Sequence, residues 1–327
     1  MFVCLRCGQS TGLPTCERCG YGFEMVDGVY QLTADPSANL SGNGVRYIGY
    51  DAIGEYYHGR GWTDAPCDPV EMADGRMIAD LTERGVVLDL GSGGGNHAVP
   101  AALCGCTVVA GDIAQVLLKL LLRKAAANGV PSDRLLPCRM NALSVPMSDA
   151  SIDGVLLNSV LHLISEPERV LSQVHRVLKP GGKLIMLVHS EGIRPEEEPA
   201  LEAQNRLYGD RQADLYRRYW VILDGMGVKP TPRRQDFDQI GACKVAFASH
   251  AQSTAELPAR QVVKLSDYFL YRMGGKGYSE QQGVPDPLHQ QAFSRVLDEF
   301  REKYGPDFAE TAHVSTVIRV ACHAFTK

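Results

Sequence analysis

An apolar segment that leads directly into a glycine-rich turn restricts the fold of this chain more than any other feature. The segment reads VVLDLGSGGGNHA and covers residues 86–98. Its apolar start predicts a buried strand, its glycines allow a sharp turn and close approach by a ligand, and the residues that follow predict a helix. Strand–turn–helix units of this kind bind ligands at the carboxyl ends of parallel strands. The chain is therefore predicted to be an α/β protein with a site at this turn.

Strands and helices are predicted to alternate after this turn. CTVVAGD, IDGVLLN and GGKLIMLVHS read as strands, and the amphipathic segments AQVLLKLLLRKAAANG and SEPERVLSQVHRVLK read as the helices between them. This alternation predicts a mostly parallel sheet with helices on both faces. Farther along, a strand is expected at about 243–250, helices at about 258–273 and 287–304, and a final strand at about 313–325. The two late strands are expected to pair antiparallel at one edge.

Composition shifts divide the chain into three predicted parts. Residues 1–32 form a cysteine-rich module, 33–67 a linker with aromatic cap helices, and 68–327 the α/β domain. Within that domain, residues 191–240 are heavily charged, yet their apolar residues recur at helical spacing. They are predicted to form an inserted helical lid.

Four cysteines near the N-terminus form two C-x-x-C pairs, Cys4 with Cys7 and Cys16 with Cys19. Four thiolates in two such turns suit tetrahedral Zn²⁺ and leave no open position for chemistry. A disulfide pair is disfavoured in a reducing compartment. A segment this short cannot bury a core of its own, so a metal would supply much of its folding energy. The prediction is one structural zinc ion.

Charge and hydropathy restrict the partners and the location. The 327 residues are 45% hydrophobic and 22% charged, with a net charge of −5. Apolar runs fall well short of the roughly 20 residues that a membrane span needs, and the first 20 residues lack the apolar core of a signal peptide. A cytoplasmic protein without a membrane partner is expected. The absence of a basic excess weighs against nucleic acid without excluding it.

Two acidic residues flank the glycine turn in a pattern that differs from dinucleotide binding. Asp89 lies two residues before the first glycine, where a dinucleotide site has no acid, and Asn96 stands where that fingerprint requires glycine or alanine. Asp112 ends the next predicted strand, at the spacing that lets a carboxylate accept hydrogen bonds from ribose hydroxyls. Ile113 beside it can pack on a flat base. These features favour a ligand with a cationic or hydrogen-donating group.

Four motifs in order extend this pattern: DLGSGGG, VVAGDI, MNALSVPMSDASIDGVLLNSVLHLI and RVLKPGGKLIML. Together they resemble the class I S-adenosylmethionine-dependent methyltransferases, closest to the small-molecule branch often called the type 11 group. The resemblance covers residues 86–189. It implies a Rossmann-like fold with a mostly parallel, seven-stranded sheet, and methyl transfer from S-adenosyl-L-methionine.

The resemblance also implies roles for individual residues. The glycines of the turn would lie under the methionine part of the donor, Asp89 would order the turn, and Asp112 would bind the ribose. The remaining contacts would come from later motifs and from the cap. The implied donor-binding residues are Asp89, Gly91, Gly93, Gly95, Asp112 and Ile113, then Asn141 and Ala142 at the adenine, Asn158 near the methyl group and Tyr57 closing over the methionine end.

No single catalytic residue is required, because methyl transfer is mainly a matter of positioning. A general base is needed only if the acceptor loses a proton during attack. His162 follows the strand that carries Asn158, and His58 lies in the segment that covers the donor in the resembled family. Both are candidate catalytic residues, with a local structural role as the alternative reading for each.

Several functions remain open at this point. The leading hypothesis is a methyltransferase for a small-molecule acceptor, of a secondary-metabolite or cofactor-like kind. The alternatives are an rRNA or tRNA base methyltransferase whose zinc finger recognises RNA, a binding protein that retains the donor site without chemistry, and a redox or metal-sensing role for the four cysteines.

Overall fold

The computed structural model of the chain describes residues 1–33, 50–51, 54–57, 62–230, 238–281 and 283–327. Within these ranges, the strands are β1 (Phe2–Val3), β2 (Ser10–Thr11), β3 (Met25–Val26), β4 (Val29–Gln31), β5 (Val86–Leu90), β6 (Thr107–Asp112), β7 (Leu135–Arg139), β8 (Ile152–Leu156), β9 (Leu178–Gly192), β10 (Ser249–Lys264) and β11 (Ala312–Thr326).

The helices alternate with these strands in the middle of the chain and dominate its second half. They are α1 (Gly54–Tyr57), α2 (Pro69–Leu81), α3 (Ala98–Leu103), α4 (Gln115–Ala127), α5 (Pro167–Val177), α6 (Glu198–Gly225), α7 (Gln239–Ala246), α8 (Tyr271–Gly274) and α9 (Asp286–Tyr304). A π-helical turn at Leu265–Leu270 precedes α8. No helix in the described ranges is both long enough and apolar enough to cross a membrane.

One large sheet organises the molecule, in the order β10-β11-β9-β8-β5-β6-β7-β4-β3. The five central strands, from β9 to β7, run parallel, whereas β11 and β10 are antiparallel additions at one edge. The prediction of a mostly parallel, Rossmann-like sheet is confirmed, as is an antiparallel pair at its edge. Glycine-loop residues after β5 therefore sit near the middle of the sheet, at the carboxyl ends of the parallel strands.

The prediction of seven strands is wrong, because this sheet has nine in the part of the chain that the structure describes. The N-terminal segment supplies the two extra strands. β4 pairs parallel with β7, with Tyr30 opposite Cys138, and β3 pairs antiparallel with β4. An exposed edge strand has unpaired backbone groups, and β4 satisfies those of β7. The predicted boundary at residue 32 thus falls just after a strand of the main sheet.

Helices cover both faces of the sheet, as the alternation of the strand residues requires. Along β5, Val87 points to the face covered by α2, α3 and α4, and Leu88 points to the face covered by α5 and α7. These residues are fully buried. The cysteine-rich module belongs to the second of these cores, since Phe2 and Phe23 pack in the same cluster as Leu88.

Two predictions near the C-terminus are wrong. The first half of the segment expected to be a strand at 243–250 belongs to α7, and its strand begins only at Ser249. The expected helix at 258–273 begins inside β10 and turns helical only from Leu265. In β10, the second half alternates between exposed and half-buried residues, which is the period of a strand. Pairing with the long β11 at the sheet edge, rather than local propensity, sets this segment's conformation.

The inserted segment contains a long helix, α6, which packs on α9 and β11. Its buried residues, including Leu215 and Tyr219, share a separate core with α8 and α9. At the centre of that core, Tyr219 is hydrogen-bonded to Nδ1 of His289 at 2.8 Å. This part of the chain is therefore a helical bundle beside the antiparallel edge of the sheet.

Candidate functional site

A cavity opens at the carboxyl ends of the parallel strands β5, β6, β7 and β8. Its walls come from the glycine loop, the ends of these strands and the first turns of the helices that follow. The described lining residues are Tyr50, Asp89, Leu90, Gly91, Ser92, Gly93, Asn96, His97, Gly111, Asp112, Ile113, Leu117, Met140, Ala142, Asn158, Ser159, Val160, Leu163 and Ile164. Most of the residues predicted to bind a donor thus meet in one place.

The glycine loop owes its course to left-handed backbone angles and to close packing. Gly91 has a φ of +84°, and a Cβ atom there would lie 2.3 Å from Cγ2 of Val160. Gly93 has a φ of +53° and lines the cavity. Gly95 is not among the lining residues, and a Cβ on it would lie 2.9 Å from Cγ of Leu121 in α4. The structure therefore places Gly91 and Gly93 at the cavity and Gly95 in the packing behind it.

Asp112 is held rigidly at the end of β6. Its Oδ2 accepts a hydrogen bond from the Gly93 amide and its Oδ1 accepts one from the Ala114 amide, each at 2.9 Å. Burial nevertheless raises the pKa of Asp112 above its ordinary value, because these bonds only partly offset the loss of solvent. Each oxygen has a further lone pair for a ligand hydroxyl, so the carboxylate is pre-oriented for a diol such as ribose.

Asp89 lies beneath the glycine loop. It is buried, and its Oδ2 has no hydrogen-bond partner among the described residues. Burial raises the pKa of this carboxyl to about 6; nearby His97 opposes the shift, and Asp112 adds to it. A cationic ligand would relieve the electrostatic cost of these two neighbouring acids, whereas a pyrophosphate would increase it.

Other polar atoms around the cavity also lack partners within the described ranges. They are Oγ of Ser92, Nδ1 of His97 and Nδ2 of Asn158. The Oδ1 of Asn158 accepts a hydrogen bond from the Leu187 amide at 2.9 Å, which orients its amide group. Ser159, beside it, has a φ of +55°, an unfavourable value for a non-glycine residue and one of the kinds of backbone strain that occur at active sites. Buried polar atoms normally have partners, so a ligand is expected to supply them.

The predicted adenine-binding residues are only partly at the cavity. Ile113, Met140 and Ala142 line it and give it an apolar wall. Asn141 is buried but is not among the lining residues, and its Oδ1 accepts the Leu143 amide at 2.9 Å. In this structure Asn141 therefore shapes the turn after β7, since its oxygen already has a partner.

The predicted catalytic and capping residues are less well placed or not described. His162 is half-buried in a short 3₁₀ turn and is not among the lining residues, although Leu163 next to it is. Tyr57 ends α1, but its side chain lies outside what the structure describes, as does the whole of His58. Tyr50 lines the cavity, so the segment before α1 reaches it.

The sequence predictions did not include a group of three residues beside the cavity. His97 lines it, and behind His97 lie Asp74 of α2 and His189 of β9. One signal was present: Asp74 occupies the apolar side of α2, among Val70 and Ile78, where a carboxylate needs a buried partner. Which partner that is could not be read from the chain.

A second site lies in the N-terminal module. The Sγ atoms of Cys4, Cys7, Cys16 and Cys19 lie within 4.8 Å of one another. The two C-x-x-C-G turns have the same backbone bonds: the Gly8 amide donates to the carbonyl of Cys4, and the Gly20 amide to that of Cys16. Both glycines have φ close to +70°. Two equivalent turns that face each other offer four thiolates of the type that zinc binds.

This module is docked beside the cavity rather than tethered to the domain. The Val3 amide donates to the carbonyl of Pro146, and the Ser10 and Ser148 hydroxyls are 2.9 Å apart. The Leu32 amide donates to the carbonyl of Arg139 at 2.8 Å. These bonds bracket the turn after β7, which carries Met140 and Ala142 to the cavity. Unfolding of the cysteine turns would therefore disturb the wall of the cavity that Met140 and Ala142 form.

Comparison with known proteins matches the central part of this architecture. Residues 88–186 match the family described as Methyltransferase domain. The chain is 33% identical over 100 residues to a demethylmenaquinone methyltransferase of Clavibacter sepedonicus, covering 31% of this chain and 39% of that protein. It is 33% identical over 103 residues to the demethylmenaquinone methyltransferase of Thermus thermophilus, covering 31% and 46%.

Among solved structures, the YcgJ protein from Bacillus subtilis aligns with 80% of this chain and 99% of its own, at 16% identity and a TM-score of 0.44. A geranyl diphosphate methyltransferase in complex with SAM aligns with 78% and 85%, at 14% identity and a TM-score of 0.37. The chain spans about two fifths of the length of the curated relatives it matches. The part of the chain that is similar to methyltransferase domains, residues 88–186, thus contains every described lining residue of the cavity except Tyr50.

Proposed function

We propose that this protein is an S-adenosyl-L-methionine-dependent methyltransferase that acts on a small-molecule acceptor. The observation that carries the proposal is the cavity itself, in which Asp112 and Asp89 flank a glycine loop with left-handed angles. Two buried acids suit a donor with ribose hydroxyls, an amino group and a sulfonium charge. The similarity of residues 88–186 to methyltransferase domains supports the same conclusion.

The proposed chemistry is an in-line displacement, and the donor supplies the electrophilic methyl group when bound. The protein's residues would bind and orient it: Asp112 at the ribose, Ile113 and Ala142 at the base, and the backbone of Gly91 and Gly93 under the amino-acid part. Asn158 also lines the cavity, and its Nδ2, which has no partner among the described residues, would lie near the methyl group. Pre-positioning of this kind contributes roughly 7–11 kcal/mol to methyl transfer.

A small-molecule acceptor is favoured over RNA. The relatives above are named demethylmenaquinone methyltransferases, and that acceptor is not a nucleic acid. In addition, the net charge is −5, and the RNA alternative has no observation in its favour. The acceptor class proposed is a small, largely apolar molecule, consistent with the apolar residues Val160, Leu163 and Ile164 that face the Asn158 end of the cavity.

The donor part of this proposal is tested by isothermal titration calorimetry with S-adenosylmethionine and S-adenosylhomocysteine. Wild type should bind both, and Asp112→Ala should bind them at least about 100-fold more weakly, since two charge-assisted hydrogen bonds are lost. Asp133→Ala, which removes an exposed carboxylate near β7, is the matched control and should leave Kd unchanged. Failure of the wild type to bind at millimolar ligand would refute the proposal.

The acceptor part is tested with methyl-labelled donor. Label should enter the small-molecule fraction of a metabolite extract or a panel of quinones and phenols, and should not enter bulk tRNA or rRNA. Label recovered in RNA alone would contradict the small-molecule assignment while leaving methyl transfer intact.

We propose further that the four-cysteine cluster holds one structural Zn²⁺. The ligand set, the two equivalent turns and the burial of Cys4 and Cys16 support this role. Purified protein should contain about one zinc ion per chain, and Cys16→Ser should lose it. Cys104→Ser, at a half-buried cysteine outside the cluster, should retain it. Full metal content in Cys16→Ser would argue against this ligand set.

A further inference from the structure

The cavity has one basic side chain among its described lining residues, that of His97. The other ionisable groups in the lining are the carboxyls Asp89 and Asp112 and the phenol of Tyr50. A donor with an amino-acid portion brings a carboxylate as well as an amino group. That carboxylate needs a positive or hydrogen-donating partner, because an unpaired charge in a closed site is costly.

His97 is held by a buried carboxylate. Oδ2 of Asp74 lies 3.6 Å from Nδ1 of His97 and 2.8 Å from Nε2 of His189. The two imidazole rings stack with a centroid distance of 6.0 Å and an angle of 12°. Asp74 is 2% exposed, whereas the His189 side chain is 31% exposed. Asp74 is thus hydrogen-bonded to His189 and attracts His97 by charge from a longer distance, since Nδ1 of His97 has no hydrogen-bond partner among the described residues. Of the two rings, His97 lines the cavity.

The charges around His97 come from every element that packs against it. Asp74 and Glu71 lie on α2, Asp89 ends β5, and His189 lies on β9. Burial by itself lowers the pKa of His97, but the Asp74 contact and the charges of Asp89 and Glu71 outweigh burial and raise it above the ordinary value. Burial by itself raises the pKa of Asp74, but the contacts with His189 and His97 outweigh burial and lower it. An imidazolium facing a carboxylate explains both directions.

The strand order indicates which end of the donor would meet this ring. β7 and β6 supply Met140 and Ile113, the apolar wall proposed for the base, and Asp112 stands at the end of β6 for the ribose. The next strands in order are β5, β8 and β9. His97 follows β5, with Asn158 after β8 and His189 on β9. If the base of the donor lies at β7 and its ribose at Asp112, the amino-acid portion reaches the end of the cavity where His97 lies.

We propose that His97, positioned by Asp74 and His189, binds the α-carboxylate of the donor and makes donor binding dependent on pH. This inference rests on the proposed function, since it assumes an S-adenosylmethionine-like donor. The ring's Nδ1 side faces Asp74, which leaves Nε2 to donate a hydrogen bond to the ligand carboxylate. Asp74 and His189 act through His97 and are positioning residues.

Three ligands distinguish a contact between His97 and the donor carboxylate from a general effect of His97 on donor binding. S-adenosylmethionine has the carboxylate, decarboxylated S-adenosylmethionine lacks only that group, and 5′-methylthioadenosine lacks the whole amino-acid portion. His97→Gln should weaken S-adenosylmethionine binding about tenfold, the equivalent of ~1.4 kcal/mol, and should change the other two by less than about twofold. His175→Gln, at an exposed histidine of α5, is the matched control and should change none.

The pH dependence tests the ion pair. Because the protonated ring binds the carboxylate, S-adenosylmethionine affinity should fall as pH rises through the pKa of His97, and this decline should vanish in His97→Gln. Asp74→Asn removes the charge that contributes most to raising that pKa, so the midpoint should move to lower pH. Should Asp74→Asn fold poorly, His189→Gln is a second test: it removes the ring that shares Oδ2 of Asp74 with His97, so the midpoint should move up instead of down. Decarboxylated S-adenosylmethionine lacks the carboxylate that His97 would bind. The pH dependence of its Kd therefore shows the effect of Asp89 titration without that of His97.

The possible outcomes are distinct. If the wild type binds none of the three ligands, the proposed function fails and this inference falls with it. If the wild type binds all three and His97→Gln weakens them equally, or leaves all unchanged, the carboxylate role is refuted while the proposed function stands. A variant that retains affinity but loses only turnover would instead assign His97 to the acceptor.

Discussion

At the scale of single residues, the cavity combines features that cost stability with features that a ligand would use. Asp89 is ionisable and buried, Gly91 and Gly93 have left-handed backbone angles, and Ser159 has one without being glycine. Strain and unsatisfied polar atoms of this kind concentrate at functional sites. Stability and binding should therefore respond in opposite directions to some substitutions here.

Asp89→Asn should stabilise the fold while weakening the donor site. The pKa of Asp89 is about 6 in the folded chain and about 4 when unfolded, so folding favours the protonated form. The cost of burying the ionised carboxylate is absent below about pH 4 and is complete above about pH 6. The variant should gain about 1–3 kcal/mol at pH 7.5, with the gain shrinking as pH falls. Urea unfolding between pH 4.5 and 8 measures this, and a gain independent of pH would contradict it.

Alanine at two glycines of the loop should have unequal effects. Both Gly91→Ala and Gly93→Ala pay for a left-handed φ, roughly 1–2 kcal/mol. Only Gly91→Ala also drives a methyl group into Val160, which adds roughly 1–3 kcal/mol. Gly93 has no atom within 4 Å of the added Cβ and serves as the control. Denaturant unfolding should show the larger loss for Gly91→Ala, partly rescued by Val160→Ala; equal losses would mean that the contact is relieved by small shifts.

At the scale of elements, the N-terminal module contributes β3 and β4 to the main sheet, while β1 and β2 pair in a small sheet of their own. β4 covers the edge of β7, and the turn after β7 is bracketed by backbone bonds from the first residues of the chain. The module's fold is proposed to depend on zinc. Metal loss should therefore loosen one edge of the sheet and one wall of the cavity.

Removal of zinc by a chelator, or by Cys16→Ser, should raise hydrogen exchange at the amides of β4 and β7. The central strands β5 and β8 have parallel neighbours on both sides and should stay protected. Donor affinity should fall with the loss of the Met140 and Ala142 wall. Exchange measured by mass spectrometry on Cys104→Ser provides the control, and unchanged protection of β7 after metal loss would show that the module folds without metal.

At the scale of the whole molecule, the cap segment before α2 joins the cavity to the helical bundle. Tyr50 lines the cavity, and Asp51 accepts hydrogen bonds from the Val116 amide and from Arg139. On α1, the ring of Tyr56 contacts that of Tyr271 of α8, with the ring centroids 5.2 Å apart and the planes tilted by 42°. The described lining of the cavity contains no residue of 191–240, so the lid role of that segment stays a prediction. One connection from that segment towards the cavity runs through α8 and Tyr56.

Gly275→Ala should disturb this link. A Cβ at Gly275 would lie 1.8 Å from the Tyr56 ring, so α1 or α8 must move. We expect a loss of about 1–3 kcal/mol in stability and a several-fold rise in the Kd for the donor, because the cap is displaced. Tyr56→Ala in the same chain should restore much of the stability, giving a non-additive double-mutant cycle. Gly209→Ala in α6, where a Cβ meets nothing within 4 Å, is the control; additive losses would mean that the contact is not the cause.

Local pattern was sufficient for the central strands, and it failed where pairing partners decided the structure. VVLDL, TVVAGD and IDGVL became β5, β6 and β8, because continuous apolar runs bounded by turns have few alternatives to a buried parallel strand. Residues 249–264 became a strand although local pattern favoured a helix in their second half, because β11 pairs with them along most of their length. Pairing across that distance has no local signal.

The sequence by itself determined the parallel sheet, the glycine turn, the position of Asp112 and the four-cysteine cluster. Each depends on residues that are neighbours in the chain or recur at a fixed spacing, so local chemistry specifies them. Only the tertiary structure decided that β4 extends the sheet and that Asn141 turns its oxygen onto Leu143. It also brought Asp74 against His189, 115 residues away. A buried carboxylate must find a partner, but which one it finds depends on how helices and strands pack, and that is a property of the whole fold.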